Sequence, residues 1–156
     1  MVSTLRLWRL CRESHAASTF SGEGAFRFGG RWSPPGLAIV YCAESRSLAA
    51  MEVLVHHLDT ATFKLARWTV TSADVPEAVI EKPARVPKDW QNLSPVADVQ
   101  LFGAEWVRAA RSAALRVPSA VVLGEFNYLL NPAHPDFSKI IVGKPEPFDF
   151  DTRFKR

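Results

Sequence analysis

Cysteine is scarce in this chain: Cys11 and Cys42 are the only two among 156 residues. Two thiols are too few for a disulfide scaffold or a four-thiolate zinc site. Cys42 lies in an apolar run and is expected to pack as a small hydrophobe, which fits a reduced, cytoplasmic setting. Long apolar runs are missing as well. Nothing approaches the roughly 18 consecutive apolar residues of a membrane span. The opening stretch MVSTLRLWRLCRESH is interrupted by arginines, so no secretory signal is expected. Blocks of like charge are absent, and no aromatic residues interleave with a basic stripe, so direct nucleic-acid contact is not expected. His15, His56, His57 and His134 show neither H-x₃-H nor HExxH spacing, so no metal site is expected. Neither GxGxxG nor GxxxxGK[ST] occurs, which removes the Rossmann and P-loop nucleotide sites. Ser119, in VPSAVV, lacks the G-x-S-x-G surroundings of a nucleophile elbow.

What is present points to one domain spanning residues 1–156. Apolar residues make up 47%, enough for a sizeable core, and charged residues 22%. The net charge of +3 permits an anionic ligand without demanding one. Strands are expected at 5–10, 37–42, 62–70, 120–123 and 139–142, with shorter ones at 78–81 and 148–150. A helix should follow Ser45, a ready N-cap, with Leu48, Met51, Val55 and Leu58 on its buried face. A second helix is expected over 98–115, stopped by Pro118, with a stripe of Leu101, Phe102, Trp106, Ala109, Ala110 and Ala113. NYLLNPAHPDF reads as a structured loop, with Asn131-Pro132 as a turn. Strands outnumber helices and do not alternate with them, which favours the α+β class.

Chemistry concentrates in GGRWSPPGLAIVYCAESRSLAAMEVLVHH, residues 29–57. Glu52 falls about 40° from Leu48 on the helical wheel, on the shoulder of the expected buried face. A carboxylate there reaches water, pairs with an arginine or faces a cleft, because burying it alone is costly. Tyr41 ends a strand. It is either a core tyrosine with a bonded hydroxyl or a ligand-facing ring. Arg31 follows Gly29-Gly30. It is either a surface arginine in a turn or an anion anchor, since glycines let amides approach a phosphate and a guanidinium binds it bidentately.

SGEGAFRFGGRWSPPG, IVYCAESRSLAAMEVLVHH and RVPSAVVLGEFNYLLNPAHPDF together resemble the RES domain family, in order and over most of the chain. The arginine, glutamate and serine that name the family fall on Arg31, Glu52 and Ser119, and Tyr41 stands at its tyrosine. Leu123-Gly124 departs from the pattern, where a proline would be expected nearby. The resemblance implies a fold similar to ADP-ribosyltransferase toxins: an α+β domain with a split, bent β-core and flanking helices around an NAD⁺ cleft. It implies a toxin of a toxin–antitoxin pair that destroys NAD⁺, with water or phosphate as acceptor and with NAD⁺ as substrate, no cofactor being required. Glu52, Tyr41 and Arg31 would be catalytic, and Arg31, Gly30, Tyr41 and Ser119 would bind NAD⁺. The implied partner is an Xre-type antitoxin, which would supply any DNA contact. Two other readings stand beside this one. The first is a mono-ADP-ribosyltransferase acting on a host protein. The second is a non-catalytic antitoxin-binding module with Phe126, Tyr128 and Phe137 on its surface.

Overall fold

The computed structural model describes residues 2–156. Eight strands form one sheet: β1 (Thr4–Arg12), β2 (Val40–Ala43), β3 (Trp68–Pro76), β4 (Ile80–Glu81), β5 (Ala114–Pro118), β6 (Phe126–Leu130), β7 (Ile141–Val142) and β8 (Glu146–Phe148). The helices are α1 (Glu23–Phe28), α2 (Arg46–His57), α3 (Ala61–Leu65) and α4 (Ala97–Ala109). The strand order is β4-β5-β6-β2-β1-β3-β7, with β8 also paired to β3. Every pairing is antiparallel except β4–β5. This is the α+β architecture expected from the sequence.

The ladder is uneven. β1 and β3 share nine registered pairs, from Thr4↔Pro76 to Arg12↔Trp68, whereas β1 and β2 share one, Trp8↔Ala43. The sheet is therefore parted between β1 and β2. Period-two alternation divides the core. One face carries Leu7, Val40, Cys42, Ala73, Val75, Ala114, Tyr128 and Leu130 in a continuous cluster. The other face carries two separate clusters. Leu10, Ala43, Trp68 and Val70 lie under α2 and α3, and Leu115, Val117 and Leu129 lie under α4 with Trp32 and Trp106. The interval between α2 and α4 is left open as a cleft.

Several elements depart from the pattern read along the chain. Ser45 caps α2 as expected, its Oγ accepting from Leu48 N at 3.1 Å. The buried face of that helix is nevertheless Leu48, Ala49 and Leu54, with Val53 packed against them. Met51, Val55 and Leu58 are 43%, 58% and 39% exposed. Ala49, 5% exposed, packs in the cluster beneath the helix, and Val55 of the longer apolar stripe lines the larger of the two cavities in the cleft. Residues 62–70 are not one strand. Thr60 caps α3, its Oγ1 accepting from Phe63 N, and the extended chain resumes only at Trp68. The second helix ends at Ala109, well before Pro118, because Ala110 adopts a left-handed conformation at φ 50°. Its buried residues are Val99, Gly103, Ala104 and Trp106, while Leu101 is exposed. The following strand is 114–118, not 120–123, and NYLL belongs to strand β6, whose apolar run is paired on both sides. Asn131-Pro132 does form a turn, with Ala133 N donating to Asn131 Oδ1 at 3.0 Å.

Candidate functional site

Two adjoining cavities occupy the cleft. The larger, about 810 Å³, lies between α2, α4, the Gly29–Trp32 turn and the segment after Pro118. The smaller, about 230 Å³, lies over the parting of β1 and β2. Arg9, Tyr41, Glu52, His56 and Asn127 line both, so the carboxylate of Glu52 stands where the two meet. The larger volume is in the range of small-molecule and cofactor sites.

Glu52 reaches this position because α2 buries its alanine side, which swings the carboxylate into the cleft. Its Oε1 accepts from Asn127 Nδ2 at 2.6 Å and from Ser119 Oγ at 3.1 Å. Neither donor is charged, and no arginine pairs with it among the described residues. Ser119 is fully buried and lines neither cavity. Its oxygen accepts from Val121 N at 3.1 Å and Val122 N at 3.0 Å, so its one proton is directed onto Glu52. In this structure Ser119 touches the carboxylate rather than the cavity.

Tyr41 lines both cavities, but its hydroxyl is spent elsewhere. Ser33 Oγ lies 2.8 Å from it, and Trp32 N donates to it at 3.1 Å. Burial pushes the phenol up to about 12, against the opposing pull of those bonds and of Arg31. A Cβ on Gly30 would lie 2.6 Å from this hydroxyl, so only glycine fits against the ring. The turn is held from α4 too. Gln100 Nε2 donates to Gly30 O at 3.0 Å and to Ser33 O at 3.3 Å, and a Cβ on Gly103 would fall on the Trp32 carbonyl.

Arg31 lines the larger cavity, as does Gly30. Its Nη1 donates to Trp90 O at 2.9 Å and to Asn92 O at 2.5 Å. The guanidinium thus ties down the segment that brings Gln91, Leu93 and Pro95 to the cavity wall. Arg9 is a further cation at the site that the sequence reading missed. Its Nε donates to Thr19 Oγ1 and its Nη1 to Tyr41 O, each at 2.9 Å, where the β1–β2 ladder has ended. The sequence does not single it out, since β1 also carries Arg6 and Arg12. Asn127 and Gln100 carry no signal either: each is an ordinary polar residue until the fold places it.

The cleft therefore gathers Gly30, Arg31, Tyr41 and Glu52 at one cavity and places Ser119 behind the glutamate. No group of three or more histidine, cysteine or acidic side chains fit to hold a metal ion occurs among the described residues. No helix there is long and apolar enough to cross a membrane. Of the three aromatic residues of the alternative docking surface, Tyr128 is buried, and Phe126 and Phe137 are partly buried against the same cluster.

Comparison with known proteins bears on the family and the fold. The model of the RES domain family matches residues 6–151. A Prs ADP-ribosylating toxin of Sphingobium sp. (strain YBL2) is 38% identical over 161 residues, covering 98% of each chain. A protein named Toxin Res from Photorhabdus laumondii is 40% identical over 150 residues, covering 94% of this chain and 95% of the relative. A solved structure from the M. tuberculosis MbcT–MbcA toxin–antitoxin complex has the same fold. It aligns with a TM-score of 0.77 at 20% identity, over 95% of this chain and 86% of that one. From the family match and these relatives, the chain belongs to the RES domain family.

Proposed function

We propose that the protein is the toxin of a toxin–antitoxin pair and acts by breaking the nicotinamide–ribose bond of NAD⁺. The carrying observation is the carboxylate of Glu52, fixed by two neutral donors through one oxygen at the junction of two cavities. The departing nicotinamide nitrogen is already cationic in NAD⁺, so it leaves as a neutral molecule and needs no proton donor. One carboxylate suffices where a typical glycosidase uses two. Glu52 bonds the ribose hydroxyls and faces C1′ as positive charge develops there. A single well-placed group of this kind contributes ~3–4 kcal/mol to the transition state.

The other residues prepare the cleft. Arg31 offers its remaining N–H groups to the pyrophosphate, without help from the Gly29 and Gly30 amides, which donate to Ala25 O and Ser33 O at 2.8 Å each. The Tyr41 ring packs on the nicotinamide or ribose and excludes water from one side. Ser119 holds Glu52 in place. NAD⁺ is the substrate, and the partner is an antitoxin of Xre type that binds this chain and supplies the DNA contacts of the pair.

The test is to incubate the purified protein with NAD⁺, with and without phosphate, and identify the products. Free nicotinamide with ADP-ribose or its phosphorylated form supports the reading, and intact NAD⁺ in both arms refutes it. A relative bearing the name of an ADP-ribosylating toxin gives a second reading, transfer of ADP-ribose to a protein. A discrete ADP-ribose adduct on host proteins after expression, found by mass spectrometry, would identify that acceptor.

A further inference from the structure

Asn127 makes the shortest hydrogen bond to Glu52, Nδ2 to Oε1 at 2.6 Å. It sits on β6 between two partners, registered with Ala43 on β2 and Val117 on β5, so its backbone is fixed from both sides. The residue lines both cavities. Its Oδ1 is buried without a hydrogen-bond partner. An amide that leaves its oxygen unsatisfied incurs a cost, and the opposite flip would set that oxygen against the carboxylate. The amide is thus held with its N–H toward Glu52. Together with Ser119 it occupies Oε1 twice, while Oε2 has no donor among the described residues.

The geometry points to Asn127 as a positioning residue for Glu52: its amide N–H pins Oε1 and so leaves Oε2 for the ligand in the cleft. This rests on the proposed function only where catalysis is concerned, because the contact itself is independent of any substrate. A residue acting as an N–H donor differs sharply from one that merely fills space. Asn127→Asp keeps the size and shape but replaces the donor with a second carboxylate facing Glu52. Asn127→Ala removes the group without adding charge.

Both variants are assayed for NAD⁺ consumption, and their thermal stability is measured with Glu52 intact and in the Glu52→Gln background. The expected order is a ~10-fold loss of kcat in Asn127→Ala and a ~100-fold or greater loss in Asn127→Asp, with KM changed less than about threefold. Like charge against Glu52 harms the aspartate variant under either role, so the alanine variant decides: a kcat within threefold of the original overturns the proposal. The stability cycle reads the contact without activity. Asn127→Ala, which adds no charge, should lower Tm by about 3 °C or more beside Glu52 and by clearly less in the Glu52→Gln background. Equal shifts in both backgrounds overturn the proposal whatever the kinetics show. If the unaltered protein leaves NAD⁺ intact, the proposed function fails, and the cycle alone decides the role of Asn127.

Discussion

Tyr41 and Ser33 meet hydroxyl to hydroxyl at 2.8 Å, behind the turn that carries Arg31. The pair ties the start of β2 to a loop eight residues earlier, and the backbone N–H of Trp32 joins the same oxygen. The tyrosine is thereby a brace for the arginine as well as a wall of the cleft, and its hydroxyl is not available to a ligand.

Tyr41→Phe follows from this brace. It keeps the ring and removes the partner of Trp32 N and Ser33 Oγ. We expect a stability loss of about 1–2 kcal/mol in denaturant unfolding, a raised KM for NAD⁺ and a kcat within a few-fold of the original. An unchanged KM with abolished kcat would place the hydroxyl in the chemistry instead.

The charge of Glu52 is tested by Glu52→Gln, which preserves shape and removes the carboxylate. Turnover should fall at least ~100-fold, the range seen on losing one well-placed electrostatic group. NAD⁺ binding, followed calorimetrically, should persist. Comparable turnover in the variant would show that the carboxylate charge is not used.

Arg31→Ala should act at two places at once. Loss of the two bonds to Trp90 O and Asn92 O frees the segment around Leu93, so amide hydrogen exchange there should accelerate. KM for NAD⁺ should rise by ~10-fold or more, as hydrogen bonds to a charged group contribute about 1.5–3 kcal/mol each. A fall in kcat alone would move Arg31 from anchor to reaction centre.

Tyrosine ionisation gives a pH readout with few unknowns, since Tyr41 and Tyr128 are the only tyrosines. Burial raises both, Tyr41 to about 12. The unfolded chain releases these protons near pH 10, the folded chain later. Stability from the buried neutral phenols is therefore full below about pH 10 and declines as pH rises toward the folded values. Near-ultraviolet absorbance of the native protein at pH 10 should show little tyrosinate, and more should appear on denaturation. Full native ionisation at pH 10 would contradict the buried placement of Tyr41.

The sequence by itself determined the class of the fold, the Ser45 cap of α2 and the turn at Asn131-Pro132, and it put forward Gly30, Arg31, Tyr41 and Glu52 as candidates that the fold brings to one cavity. These depend on local rules: a capping side chain, a short apolar run, a glycine pair, a recognisable spacing of motifs. It misled where packing overrode pattern. Met51, Val55 and Leu58 form a fair helical stripe, yet α2 buries Leu48, Ala49 and Leu54, and Val55 and Glu52 line the cleft. Only tertiary structure could decide that Ser119 touches the glutamate rather than the cavity, that Arg31 holds a loop some sixty residues away, and that Asn127 and Arg9 belong to the site at all. Those relationships join strands and loops distant in sequence, and a hydrogen bond across a parted sheet leaves no periodicity in the chain that makes it.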